Sequence, residues 1–214
     1  MRAVLIVNPN ATSTTPAGRD LLAYALESQT KLTVVHTAHR GHAIEIGRQA
    51  CRDGVDVLIV HGGDGTVNEV VNGVLQFCGP GGAGPAIGVV PGGSANVFAR
   101  ALGISPDPIE ATKQLVELLG AHRRGQPWRR IGLMKCDDRW AVFTAGMGVD
   151  GDVVAAVERQ RAKGRKVTAG RYVRVAVREM LSNVFADPAL TLHLPYQEPI
   201  EGVHFAFVSN ASPW

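Results

Sequence analysis

Two short runs hold the residue types that do chemistry on phosphates. Gly62-Gly63-Asp64-Gly65-Thr66 follows an apolar run and precedes a helical pattern, and Pro91-Gly92-Gly93-Ser94-Ala95-Asn96 does the same further along. Glycines at a strand-to-helix turn let backbone N–H groups approach phosphate oxygens, and the start of the helix adds a favourable dipole. Thr66 and Ser94 carry hydroxyls that cap a helix start or donate to an oxygen. Asp64 is different, because a carboxylate repels phosphate. It makes sense if it bridges through Mg²⁺ or accepts a proton from an attacking hydroxyl, or else as an Asp-Gly turn that only reverses the chain. Asn96 binds a nucleotide or supports its turn. Glu69, three residues after Thr66, completes a capping box or plays a polar role toward a nucleotide. Asn72-Gly73 reads as a helix stop.

The elements that must position these runs alternate. Strands are expected at Ala3–Val7, Leu32–His36, Val55–Val60 and Ala86–Val90. Helices are expected at 18–29, with Leu21, Leu22, Ala25 and Leu26 inward, and at 42–52 on Ala43, Ile46 and Ala50. Further helices are expected at 67–75, at 95–102, and at 109–119 on Leu115, Val116, Leu118 and Leu119. Strands alternating with helices predict a parallel α/β sheet covered on both faces, with ligands at the carboxyl ends of the strands. Two glycine loops on successive strands would line one crevice there. After a linker around 120–127 the pattern changes. A hairpin turns at Asp137-Asp138, helices follow at 152–163 and 172–181, and strands at 190–194 and 204–209. The expected division is a first domain over 1–126 and a β-rich second region over 127–214.

Composition narrows the classes. The chain has 214 residues, and 45% are hydrophobic, enough for a core. Its 22 basic residues against 19 acidic ones give +3, and no long Lys/Arg block marks a nucleic-acid binder. Cys51, Cys78 and Cys136 are far apart in sequence, with no CxxC pair, so neither a disulfide framework nor a zinc site is indicated, and a reducing compartment is the simplest home. The amino terminus reads as a strand, not a signal peptide, and no apolar run is long enough to span a bilayer. A Gly-x-x-x-x-Gly-Lys-Ser/Thr sequence, a dinucleotide fingerprint on the first strand, a Gly-x-Ser-x-Gly elbow and a His-Glu-x-x-His helix are all missing. A basic cluster of Arg159, Arg161, Lys163, Arg165 and Lys166, then Arg171, Arg174 and Arg178, is either a solvated face or an attraction to anionic lipid. Tyr172, Val173, Val175, Ala176, Val177 and Met180 beside it are core residues or part of a lipid-facing groove.

His61-Gly62-Gly63-Asp64-Gly65-Thr66-Val67-Asn68-Glu69-Val70-Val71-Asn72-Gly73 resembles the signature of the diacylglycerol kinase catalytic-domain family, which includes bacterial lipid kinases and sphingosine and ceramide kinases. Pro91 to Arg100 resembles its second motif, with Ser94 in place of the usual threonine. Asn8-Pro9 is similar to the opening motif, although the Ser/Thr-Gly that follows it is displaced or absent. Thr37 and Gly41-His42-Ala43 resemble the element after the second strand. Phe143 to Asp150 resembles the stretch that opens the second domain, with Thr144 where asparagine is expected. Through Gly62-Gly63-Asp64-Gly65 the resemblance extends to NAD kinases and phosphofructokinases, while Asn68 to Gly73 and Ser94-Ala95-Asn96 favour a lipid kinase.

The resemblance implies a three-layer parallel-sheet nucleotide-binding domain of NAD kinase/diacylglycerol kinase type, followed by part of a β-rich second domain. It implies ATP, Mg²⁺ and transfer of the γ-phosphoryl group to diacylglycerol, giving phosphatidic acid. Gly62, Gly63, Gly65, Gly92 and Gly93 would cradle phosphate, and Thr66 and Ser94 would donate to it. Asn8, Thr37 and Asn96 would line the nucleotide, with Glu69 beside them. Asp64 would organise magnesium or help activate the hydroxyl. A cytoplasmic protein touching an anionic membrane surface is expected, with a homodimer allowed and no nucleic-acid partner. The alternatives are sphingosine, another lipid alcohol or NAD as acceptor, or a nucleotide-binding fragment without catalysis. Family members continue with a sandwich, a further glycine-rich segment and acidic residues, so the chain is expected to be incomplete at its carboxyl end.

Overall fold

The computed structural model describes residues 1–12, 14–162, 173–178, 188 and 190–210. The chain forms two compact units, Met1–Phe143 together with Asn210, and Thr144–Ser209. The first unit runs on past Gln126 to include the hairpin at Asp137-Asp138.

The first unit is built on four parallel strands, β1 (Arg2–Val7), β2 (Lys31–His36), β3 (Val57–Gly62) and β4 (Ala86–Pro91), in the order β2-β1-β3-β4. Alternation along the strands sends side chains to both faces. Ile6, Leu58, Val60 and Val89 pack under α2 (His42–Arg52) and α3 (Asp64–Cys78), and Phe98 and Ala99 of the short α4 (Val97–Ala101) join them. Ala3, Leu5, Val7, Val57, Ile59 and Val90 pack under α1 (Pro16–Glu27) and α5 (Pro108–Arg123). These are the three layers expected from the sequence. β3, central in the sheet, is buried along its whole length, whereas the edge strand β2 is largely exposed. Complete burial of an aliphatic side chain is worth about 1.5–3 kcal/mol, so β3 anchors the sheet.

Helix starts follow their caps. Thr15 accepts from Gly18 N ahead of Pro16, and Asp107 accepts from Ile109 N and Glu110 N ahead of Pro108. Each helix therefore begins earlier than periodicity alone indicates. Leu22 and Leu26 of α1 are buried as expected, but Leu21 is exposed. In α5, Ala111 and Thr112 take the inner positions with Leu115 and Leu119, and Leu118 faces out. In α2 the expected Ala43, Ile46 and Ala50 are all buried.

The first glycine run departs most from expectation. α3 starts at Asp64, not Val67, so Thr66 lies within the helix and is not its cap. Asn72-Gly73 does not stop it. The helix continues to Cys78 and ends at Gly79, whose φ is 71°. Gly73 is a contact residue: a Cβ there would lie 2.2 Å from the Ile44 carbonyl oxygen, and one on Gly47 would lie 2.9 Å from the Val70 carbonyl oxygen. The two glycines let α2 and α3 meet backbone to backbone. Asn72, also buried, docks the hairpin of β5 (Met134–Cys136) and β6 (Arg139–Ala141) onto α3. Its Nδ2 donates to the Trp140 carbonyl at 2.8 Å, and its Oδ1 accepts from Trp140 N at 2.8 Å.

The second unit pairs β7 (Thr144–Gly148) with β10 (Phe205–Ser209) antiparallel, and β8 (Leu190–Leu192) with β9 (Ile200–Val203). β9 was not expected, and β7 emerges as a separate strand from what reads in sequence as the end of the hairpin. Gly148 has φ 78°, and a Cβ there would lie 2.2 Å from the His204 carbonyl oxygen, so this corner needs glycine. α6 (Val149–Ala162) contributes Ala156 and Val157 to a small cluster with Val175. Phe205, Phe207, Met147 and Val208 are exposed on the β7–β10 pair. Arg159, Arg174 and Arg178 are exposed as well. Lys163, Arg165, Lys166, Arg171, Tyr172 and Met180 lie outside the described residues; of the helix expected over 172–181, residues 173–178 are described and are helical. No helix among the described residues is long and apolar enough to cross a membrane.

Candidate functional site

In the order β2-β1-β3-β4 the chain runs outward in both directions from the β1–β3 pair, and in open sheets of this kind ligands bind beyond the carboxyl ends of those strands. Both glycine runs and Asn8 lie at that edge. Asn8 follows β1. Its N–H donates to the His61 carbonyl at 3.0 Å, its Oδ1 accepts from Asn10 N, and its Nδ2 donates to Thr66 Oγ1 at 3.0 Å. Asn8 and Thr66 thus come together as a side-chain pair across the β1–β3 junction. Thr37 continues the sheet, donating from its N–H to the Val7 carbonyl at 2.9 Å.

Four of the predicted glycines meet each other. Gly92 N donates to the Gly62 carbonyl at 2.9 Å. A Cβ on Gly93 would lie 2.6 Å from Gly63 Cα, and one on Gly92 would lie 3.1 Å from Gly62 Cα and N. The two loops therefore touch backbone to backbone, and any side chain would push them apart. Gly65 differs, since a Cβ there meets nothing within 4 Å. Its position on the first turn of α3 is open to an approaching group. Gly63 occupies the cap position of this helix and makes no side-chain cap, so no N-cap side chain satisfies the first-turn amides of α3.

Asp64 is held by the second loop. Its Oδ2 accepts from Val97 N and its Oδ1 from Phe98 N, both at 3.1 Å. It caps α4 from a distance, which explains why neither Ser94 nor Asn96 does so. Ser94 is exposed. Asn96 sits at the cap position in the left-handed region, φ 48° and ψ 45°, without a capping bond. Its side chain instead closes the loop on itself: Gly93 N donates to Asn96 Oδ1 at 3.0 Å, and Asn96 Nδ2 donates to the Gly93 carbonyl at 2.8 Å. Of the two readings open in the sequence, support of the turn is the one the hydrogen bonds show. Glu69 is likewise no capping-box partner. Its Oε1 accepts from Gly41 N at 3.1 Å and ties the β2–α2 corner to α3.

One polar atom at this edge escapes notice in the sequence. Thr14 Oγ1 is buried without a hydrogen-bond partner, 3.2 Å from where a Cβ on Gly92 would stand. It brings a hydroxyl to the second loop from the β1–α1 segment. The hydroxyl-rich run around Thr14 was its only signal. Asn68 Oδ1 on α3 is also buried and unpartnered. No cluster of three or more His, Cys, Asp or Glu side chains able to hold a metal occurs among the described residues.

His61, at the end of β3, is 3% exposed, and its Nδ1 lies 3.3 Å from the Val90 carbonyl. Burial pushes its pKa below the usual histidine value, and the contact with Val90 opposes this only in part. Its folded pKa lies below its unfolded value of about 6.5, so its contribution is complete above that pH. As pH falls below about 6.5, the unfolded chain binds a proton that the folded chain refuses, and stability is lost down through the folded pKa. Urea midpoints measured across this range should fall with pH, and His61→Gln should flatten that segment.

A four-stranded parallel sheet with helices on both faces and two touching strand-to-helix glycine loops at its carboxyl edge defines a protein of the doubly wound α/β class. Within that class, residues 2–123 match the diacylglycerol kinase catalytic domain, and the chain belongs to that family. Among its relatives, a protein named “Probable lipid kinase YegS-like” from Chromohalobacter salexigens is 33% identical over 133 residues, 62% of this chain and 40% of that protein. A diacylglycerol kinase from Bacillus subtilis is 38% identical over 116 residues, 50% of this chain and 35% of that protein. The crystal structure of a diacylglycerol kinase from Bacillus anthracis superposes with a TM-score of 0.59 at 26% identity, covering 73% of this chain and 55% of that one. The chain spans less than half the length of the curated relatives it matches.

Proposed function

We propose that the first unit, residues 1–143, is the ATP-binding domain of a lipid kinase and that residues 144–209 belong to a β-rich second domain. In this reading the enzyme transfers the γ-phosphoryl group of ATP to the hydroxyl of diacylglycerol, giving phosphatidic acid. The observation that carries it is the first turn of α3, uncapped by any N-cap side chain and open at Gly65, in the crevice of a family member.

Phosphoryl transfer needs positioning and charge compensation more than covalent help from the protein. The amides of Gly63 to Gly65 and the positive end of the α3 dipole receive the phosphates, while Thr66 N donates to the Gly63 carbonyl and closes the turn. The contact between Gly62–Gly63 and Gly92–Gly93 sets both loops at one height, and Asn96 fixes the second. Ser94, exposed on that loop, and the unpartnered hydroxyl of Thr14 donate to phosphate oxygens. Asn8, Thr37 and Glu69 shape the nucleotide side. Asp64 keeps a lone pair on each oxygen after accepting the Val97 and Phe98 amides. One carboxylate suits Mg²⁺ that is held mainly by phosphate oxygens and water. Bound with the nucleotide, the ion would neutralise charge on the phosphates. Asp64 would either hold it or orient the acceptor hydroxyl. The exposed Arg159, Arg174 and Arg178 give the second unit cationic charge for peripheral contact with an anionic bilayer, where the acceptor resides.

Incubating the chain with labelled ATP, Mg²⁺ and either diacylglycerol, sphingosine or NAD tests the reading. Label should appear in phosphatidic acid. Label in phosphorylated sphingosine alone would move the acceptor to another lipid. Label confined to NAD would remove the lipid assignment, and nucleotide binding without any phosphorylated acceptor would leave a binding fragment.

A further inference from the structure

Cys51 and Cys78 are distant in sequence but meet in the fold. Cys51 lies at the end of α2 and Cys78 closes α3, the two helices joined at the Gly47 and Gly73 contact. Cys51 Sγ lies 4.0 Å from the carbonyl of Val74, one turn before Cys78 on α3. Arg48 hydrogen-bonds Gln76, and Arg52 lies over the Phe77 ring at 5.5 Å, so this end of α2 is in register with the last turn of α3. A Cβ on Gly84 would meet Val74 Cγ1 at 3.0 Å and Cys78 Sγ at 3.3 Å, which places the Cys78 thiol beside Val74 as well. Both thiols therefore flank the Val74 turn of α3. Both cysteines are reduced and half-buried, while Cys136 is exposed.

We propose that Cys51 and Cys78 form an oxidative modification site, at which a peroxide converts the thiol pair into a reversible disulfide between α2 and α3. Burial, together with the neighbouring Cys78 thiol, pushes the Cys51 thiol up to about 12, so Cys51 stays protonated and Cys78 reacts first. The Cys78 sulfur attacks one peroxide oxygen. The O–O bond breaks, an S–O bond forms, and the products are a sulfenic acid and water. The Cys51 sulfur then attacks the Cys78 sulfur. An S–S bond forms, the S–O bond breaks, and the departing hydroxide takes the Cys51 proton as a second water. Two electrons pass from the thiol pair to the peroxide. The closed loop contains β3 and Gly62–Thr66, so the bond constrains the unfolded chain around the first glycine loop and raises the melting temperature. None of this depends on the kinase reading.

The test uses the full chain carrying Cys136→Ser, which removes the exposed thiol, treated with hydrogen peroxide. Mass spectrometry should show the loss of two hydrogens, reversed by dithiothreitol, together with a rise of several degrees in Tm. Trypsin should release Gln49–Arg52 joined to Asp53–Arg100, since no Lys or Arg interrupts either peptide. With Cys51→Ser added, Cys78 should instead accumulate oxygen. Oxygen added to Cys78 with no loss of hydrogens while Cys51 is present would overturn the proposal, and so would a disulfide formed only between chains.

Discussion

Gly73→Ala is expected to destabilise the first unit by about 3 kcal/mol or more, the upper end of what overpacking costs. The added Cβ would stand 2.2 Å from the Ile44 carbonyl oxygen and within 3.0 Å of its carbonyl carbon. These are backbone atoms of α2, so no side chain can swing away, and the helices must separate. Separation would withdraw Ala43, Ile46, Val70 and Val74 from one cluster. Gly65→Ala on the same helix is the control. A Cβ there meets nothing, and alanine is the better helix former by about 1 kcal/mol. Urea unfolding should therefore move the two midpoints in opposite directions. A Gly73→Ala midpoint equal to that of the parent chain would mean that α2 and α3 do not meet as described.

Asp64→Asn is expected to lower turnover at least ~100-fold, the scale set by losing one preorganised electrostatic group at a reacting centre. The geometry adds a structural cost. The carboxylate accepts from both Val97 N and Phe98 N, whereas a carboxamide offers one oxygen and turns an N–H₂ toward the other amide. One of the two donors is left unmatched, and the loss of charge removes the favourable interaction with α4. Together these should cost about 1–3 kcal/mol in stability, concentrated in the second loop. The native sheet should persist, because of the clustered apolar residues only Phe98 and Ala99 sit on α4, and the strand residues pack without Asp64. Nucleotide affinity and kcat, measured separately, divide the effects: displacement of Ser94 and Asn96 weakens binding, and loss of the carboxylate lowers kcat. Turnover of Asp64→Asn within a few-fold of the parent would remove Asp64 from the reaction.

The layers of the first unit were legible because each strand and helix carries its own period. Ala43, Ile46 and Ala50 point inward in sequence and in the fold alike. The boundaries were less legible, since Thr15 and Asp107 start their helices through side-chain caps ahead of the apolar pattern. At the site, sequence identifies the participants but not their partners. Gly62, Gly63, Gly92 and Gly93 read as a phosphate cradle, and nothing local shows that they also hold two loops together. Thr66 three residues before Glu69 has the spacing of a capping box, yet Glu69 reaches Gly41 and Thr66 meets Asn8. Both partners lie on other elements, where local spacing carries no information. The Asn72 clasp on Trp140 and the approach of Cys51 to Cys78 are long-range in the same sense.

The claim that the crevice beyond β1 and β3 receives the nucleotide phosphates is tested most directly by backbone amide NMR of the full chain titrated with ATP and Mg²⁺. The largest shifts should fall on Gly63 to Thr66, with smaller ones on Asn8, Thr14 and Gly92 to Asn96. Shifts confined to other elements, or saturating ATP that leaves Gly63 to Thr66 unmoved, would contradict it.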